Sequence, residues 1–352
     1  MKKLLKIIKI ITISIIGIIA AVFLYLYVDS KLFIGFKDND NIDYLTKQHV
    51  PAGDSINGKL FDDAFYGSKV FLMGEIHGYA DNQKLDKAML LFLHKNAGVK
   101  YYLAEMDSTT ANKFNAFLGS NPKNEAVLHE AVSDIRKRIP QQSSRELFEK
   151  WMAIHDYNMQ QPDSLKITVI GIDKRFDDKD ATITRDSAMM LNFAHAVAER
   201  HLENEKFYGF FGFFHVLQNT IAPGKHPFAE KLKAAGIRTT SFVSYTLDSD
   251  MYLPKNPQFP TPSDEKVDWV NADGPLMLVK GIQDLKALTQ PHSITLFRIN
   301  GAQSPYAKSQ HLMKVKARMF GENFMPVEGA VTTDYFQYVF LLRNSGALTK
   351  LP

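Results

Sequence analysis

The sequence predicts an α/β fold, a mostly parallel central sheet with helices on both faces, preceded by one N-terminal transmembrane helix. Three observations carry this. Short apolar runs alternate with segments of helical periodicity. Four of those runs stop at a proton-active side chain, as parallel strands do where they deliver residues to one sheet edge. A long uncharged stretch follows a cluster of lysines at the N-terminus.

Lys2, Lys3, Lys6 and Lys9 precede the uncharged run Ile10 to Val28. Its length approaches the roughly 20 apolar residues that span a bilayer, and the lysines are expected to stay on the cytoplasmic side. Residues 1–9 are therefore read as a basic cytoplasmic end and 10–28 as an uncleaved signal anchor. The remaining chain is expected outside the cytoplasm, periplasmic or extracellular. A cleaved signal peptide fits less well, because the run is long for an h-region and continues into Tyr-Val-Asp-Ser-Lys31 rather than an Ala-x-Ala site.

Residues 29–60, rich in Asp, Asn, Lys and Gly, read as a stalk and lead-in, and 61–352 as one catalytic domain. Its first strand is Lys69 to Met73, followed by a helix over Asp81 to Ala97 with Leu85, Ala88, Met89, Phe92 and Leu93 at helical spacing. Asp81 or Asn82 suits its N-cap and Gly98 its C-cap. A second strand, Lys100 to Ala104, leads to a helix over Ser108 to Leu118. Another helix covers Ser144 to Met159, and Lys166 to Ile172 is the third strand. A helix over Thr184 to Asn204, the aromatic strand Lys206 to Phe214 and a short helix over Pro227 to Ala235 follow. Prolines 254, 257, 260, 262 and 275 punctuate a loop insertion over 247–275, expected to act as a flap and to carry substrate specificity. Ser293 to Ile299 and Asp334 to Leu342 read as closing strands.

The strand ends define the candidate site. The first run ends in Gly74-Glu-Ile-His-Gly78, the second at Glu105, the third at Asp173 with Arg175 two residues on, and the fourth at His215. Parallel neighbours would bring Glu75, His77, Glu105, Asp173 and His215 into one crevice, with Arg175 available for an anionic group or an oxyanion. Each has a plainer reading: Glu75 and His77 as turn residues, Asp173 with Lys174 and Arg175 as a loop-orienting ion-pair network, His215 as a core histidine. Three carboxylates and two imidazoles at one buried edge must nevertheless pair, bind metal or open to solvent. His94, His129, His155, His195 and His201 lack carboxylates at ligand spacing and read as solvated or packed.

Composition narrows the classes. The net charge of +4 vanishes once the four N-terminal lysines are set aside, leaving no basic stripe for nucleic acid. The absence of cysteine excludes disulfides, thiolate metal sites, a lipidated N-terminal cysteine and a cysteine nucleophile. No phosphate loop, dinucleotide fingerprint or Gly-x-Ser-x-Gly elbow is present.

Gly74-Glu-Ile-His-Gly78, the helix after it and Tyr-Tyr-Leu-Ala-Glu105 resemble the erythromycin esterase-like family, within the wider superfamily that includes haem-uptake and Tiki/TraB-like proteins. The resemblance extends through Phe148 to Asn158 and Val169 to Asp173, and so covers most of the chain after residue 60. It implies a water-activating His77 supported by Glu75 and Glu105. The fourth motif departs from the esterase branch, reading Gly212-Phe-Phe-His215 in place of His-Asn-x-His, and the helix after His77 offers only Lys84 and Lys87 where that branch carries an arginine.

The leading expectation is a membrane-anchored hydrolase cleaving an ester or amide of a small-molecule or peptide substrate. It needs no cofactor; His77 is the general base and His215 a proton donor or oxyanion partner. Two alternatives use the same residues. In one, Glu75, His77, Glu105 and His215 hold zinc, manganese or cobalt in a Tiki-like hydrolase or protease; in the other they bind haem or iron at the envelope without turnover.

Overall fold

A computed structural model describes residues 2–175, 177–178, 182–256, 261–318, 321 and 323–351. Its helices are α1 (Lys2–Ile34), α2 (Asn39–Thr46), α3 (Asp63–Tyr66), α4 (Ala80–Ala97), α5 (Ser108–Leu118), α6 (Glu125–Ile135), α7 (Arg145–Asn158), α8 (Arg185–Glu199), α9 (Phe228–Ala234) and α10 (Ile282–Ala287). The central sheet comprises β1 (His49–Ala52), β2 (Val70–Glu75), β3 (Tyr101–Ala104), β4 (Thr168–Gly171), β5 (Phe207–Gly212), β6 (Thr239–Leu247), β7 (Ile294–Arg298) and β8 (Tyr338–Arg343). They lie in the order β1-β7-β8-β6-β2-β5-β3-β4. Only β7 runs against its neighbours.

The expected α/β class, mostly parallel sheet and N-terminal apolar helix are present. Unbroken apolar runs such as Val70 to Met73 require cover on both faces, and alternate residues supply two separate cores. Val70 and Leu72 face α8, α9 and α10, while Phe71 and Met73 face α4 to α7. Register then fixes the site edge: Glu75 pairs with Gly212, Phe210 with Ala104, and Ala104 with Gly171. Four strands therefore end within about two residues of one another.

Local signals set most helix ends. Ser144, Asp107 and Thr184 accept backbone N–H bonds as N-caps of α7, α5 and α8. Gly98 closes α4 in the left-handed region, at φ 73°. The start of α4 departs from expectation, since neither Asp81 nor Asn82 caps it. Instead the chain after β8 takes up its free N–H groups, through Gly346 O to Ala80 and Ser345 Oγ to Asp81.

Other differences have physical causes. Helix α1 continues through Ile34 without a stalk, and α2 and β1 build residues 39–52 into the fold, with Leu45 fully buried and β1 on the sheet edge. Central strand β6 has no unbroken apolar run to predict it, because Ser241, Ser244 and Thr246 interrupt its apolar residues. Ser241 accepts from Gln218, and Ser244 donates to Gly74 O and Asn82 Oδ1, so polarity there is compatible with burial. The amphipathic helix α6, which buries Leu128, Ala131, Val132 and Ile135, is a second element beyond those the sequence predicts. In place of one strand over Asp334 to Leu342, a 3-10 turn at Thr332–Asp334 precedes β8.

Beneath the site, Lys150 Nζ lies 2.6 Å from Asp86 Oδ2, and Tyr102 donates to the same oxygen at 2.9 Å. Both charges are buried, and Lys150 also lies against the Tyr102, Trp151 and Phe210 rings. Removing one partner of such a pair strands the other in low dielectric. Lys150→Met should cost about 3–5 kcal/mol in urea unfolding, and adding Asp86→Leu should recover most of that loss. A double variant no more stable than Lys150→Met would contradict this.

Candidate active site

The tight Gly-flanked exit from β2 aims His77. A Cβ at Gly74 would meet Val216 Cγ2 at 2.4 Å, and one at Gly78, whose φ is 108°, would meet Met251 Cγ at 2.5 Å. His77 Nδ1 lies 2.9 Å from Glu75 Oε1. Gln142 Nε2 donates to that oxygen at 2.8 Å and sits 3.1 Å from Nδ1. An ionised carboxylate only accepts, so Nδ1 carries the hydrogen and Nε2 keeps its lone pair. A Cβ at Gly212 would lie 3.3 Å from that Nε2 and 3.7 Å from Glu105 Oε2, so the bare glycine leaves room where the two groups converge.

Burial pushes the Glu75 carboxyl above its ordinary range, against the opposing bond and charge of His77. Burial also works against a charged His77. The Glu75 hydrogen bond and the charges of Glu75 and Glu105 outweigh it, placing the imidazole above its ordinary 6.5.

A second network stands beside this pair. Arg185 on α8 donates from Nη2 to Glu105 Oε1 at 2.7 Å, and from Nε and Nη2 to Asp173. Gly212 N donates to Glu105 Oε2 at 2.6 Å, and Arg138 Nη1 donates to Asp173 at 3.1 Å. His215 places Nδ1 2.7 Å from Asp186 and Nε2 3.5 Å from Glu105 Oε1. Burial opposes ionisation of Glu105, but the charge and hydrogen bond of His215, then His77 and Arg185, hold it far below the carboxylate range. Burial also opposes a charged His215, which the Glu105 charge and the Asp186 hydrogen bond raise to about 9.

His77 opens into a cavity of about 430 Å³. The 247–275 insertion supplies Met251, Leu253, Trp269 and Val270 to its wall, braced where Met251–Tyr252 pairs with Lys266–Val267. Pro257 and Pro260 of that insertion lie outside the described residues. The opposite wall comes from Leu276, Met277, Val315 and Phe324.

The structure thus brings together Glu75, His77, Glu105, Asp173 and His215, and leaves Arg175 out. Its side chain is 72 % exposed and forks onto Asp177 at 3.1 Å, a local partner, while Asp173 is already taken by Arg185 and Arg138. His215 has both nitrogens directed at carboxylates, so it holds Glu105 in place and is not free as a proton donor. Lys84 instead faces Asp54 outside the site.

Four contributors lie outside the residues the sequence singles out: Gln142, Arg138, Arg185 and Asp186. Arg185 had one signal, since a cation in the first turn of a helix opposes the macrodipole and implies another use. Gln142, in the run Gln141-Gln-Ser-Ser144, had none. Among the described residues no group of three or more His, Asp or Glu side chains is arranged to hold a metal ion. His77 Nδ1 and both His215 nitrogens face Glu75, Asp186 and Glu105, while Arg185 occupies Glu105 and Asp173.

The same architecture occurs in solved structures. A point variant of the erythromycin esterase EreC in its open conformation superposes with a TM-score of 0.55 at 10 % identity, over 80 % of this chain and 91 % of that one. The chain has the erythromycin esterase fold. Two further structures share it: a Bacillus cereus protein (TM-score 0.58, 10 % identity, 90 % of this chain and 100 % of that one) and a protein described as a succinoglycan biosynthesis protein (0.59, 12 %, 89 % and 98 %). No family model matches the sequence, and no curated protein matches it. On the erythromycin esterase fold, the network described here occupies the carboxyl edge of β2, β5, β3 and β4.

The raised His215 predicts how stability varies with pH. Stabilisation by its cation is full below about 6.5 and is lost as pH rises through about 9. Urea unfolding of the full chain should show up to about 3 kcal/mol lost across that window, and His215→Gln should lose much less. Equal losses in both proteins would contradict the assignment.

Proposed function

We propose that the protein is a membrane-anchored hydrolase, its domain outside the cytoplasm, that cleaves an ester or amide with His77 as general base. The observation that carries this is the His77 ring, held at Nδ1 by Glu75 while Nε2 faces the bare backbone of Gly212, on a residue that lines the cavity. The fold shared with an erythromycin esterase is consistent with such chemistry. Neutral Nε2 takes a proton from water as the water oxygen bonds to the carbonyl carbon. The tetrahedral adduct then expels the alcohol or amine, which receives that proton from His77. Glu75 supplies the counter-charge while the imidazole is protonated. Anionic Glu105, positioned by Arg185 and the Gly212 N–H, raises the basicity of Nε2. Gln141 on the cavity wall offers an amide donor to the oxyanion.

General-base transfer contributes about 10²–10⁴-fold, so His77→Ala should lose that much kcat/KM on p-nitrophenyl butyrate with thermal unfolding unchanged. A variant that keeps the wild-type rate rules the reading out. The wild-type rate should rise with pH as His77 loses its proton, with an inflection above 6.5 that Glu75→Gln moves downward. An upward or absent shift would remove Glu75 as the partner.

A further inference from the structure

We propose that the cavity beside His77 takes an acyl chain of an ester drawn directly from the bilayer, an inference that rests on the hydrolase and anchor readings above. The first observation is how α1 joins the domain. It is one unbroken helix from Lys2 to Ile34, so no flexible stalk separates the apolar run from the fold. Beyond Val28 it rises only about 9 Å before Ile34, which is itself buried in the core and accepts from Gly281 N at 2.8 Å.

The second observation is what fastens it. Asp29, the first charged residue after the apolar run, pairs with Lys316 at 2.8 Å and with Arg318. Arg318 also donates to Ser30 Oγ at 2.9 Å and Leu26 O at 3.1 Å. Arg318, Ala317 and Val315 belong equally to the cavity wall, and Val315–Ala317 pairs with Met277–Val279, whose Met277 lines it too. Arg318 therefore belongs both to the fastening of the helix end and to the wall of the site. Leu32 and Phe36, 68 % and 81 % exposed, extend the apolar surface past the anchor, where an interfacial residue would meet lipid.

The third observation is the lining. Among the described residues around the cavity, all but His77, Gln141 and Arg318 are apolar. Its volume, about 430 Å³, is that of a ligand site. A polar soluble substrate would leave its groups without partners there, whereas an acyl chain would not. With the chain seated against Met251, Leu253 and Phe324, the ester carbonyl reaches His77. Water adds its oxygen to that carbonyl, the bond to the lipid alkoxide breaks, and the proton taken by Nε2 passes to the alkoxide.

The test uses the full chain in phosphatidylglycerol vesicles whose acyl chains carry bromine, a short-range fluorescence quencher. Of the two tryptophans, Trp269 lines the cavity and Trp151 is buried in the opposite core. Emission should fall several-fold relative to unbrominated vesicles, the fall should vanish in Trp269→Phe, and Ala317→Phe or Leu253→Phe, which fill the cavity, should relieve it. No quenching overturns the proposal, as does quenching that both filling variants leave intact, which would mean surface contact alone. Hydrolysis is scored separately on the vesicle lipid and on p-nitrophenyl butyrate. Turnover of the soluble ester without quenching preserves the hydrolase reading and sinks this one; relieved quenching without turnover of either ester preserves the acyl site and sinks the hydrolase.

Discussion

Arg185 is the interaction on which the site's architecture hangs. Parallel strands that end together force Glu105 and Asp173 onto one buried edge, where two carboxylates repel and lose hydration. One guanidinium bonded to both resolves this, with Arg138 on Asp173 and the Gly212 N–H on Glu105. Glu105 then stays anionic, and its charge helps raise both His215 and His77. Helix α8 is thereby tied to the ends of β3 and β4 by the same bonds that set the electrostatics around His77.

The two networks differ in their access to solvent. Around Arg185 the histidine nitrogens and carboxylates satisfy one another, which suits rigidity. Around His77 the bonds are gathered on one side: Glu75 and Gln142 occupy the Nδ1 edge, and Nε2 looks toward the bare backbone of Gly212. The ring is thus fixed from one edge, with no hydrogen bond to Nε2 among the described residues.

The cavity is assembled late in the chain. Most of its walls come from the insertion after β6, from Leu276 and Met277 just beyond it, and from the segment after α10, none of which resembles a catalytic motif. What fixes them in place is Asp29 at the end of the apolar helix, held by Lys316 and Arg318. The apolar helix is thereby braced, without an intervening stalk, against the same segment that walls the cavity.

Read alone, the sequence determined the fold class, the apolar N-terminal helix and five of the six candidate residues, which meet at one sheet edge, because each is encoded locally. Unbroken apolar runs demand burial on both faces, and the residue that stops such a run lies at its strand's end. It was silent where the signal is relational. Strand β6 hides behind buried serines whose partners lie on other elements, and the segment after the anchor looks polar although α2 and β1 join the fold. Gln142, Asp186 and the exclusion of Arg175 were settled by which donors and acceptors lie within about 3 Å in space, a property of packing that spacing along the chain does not carry.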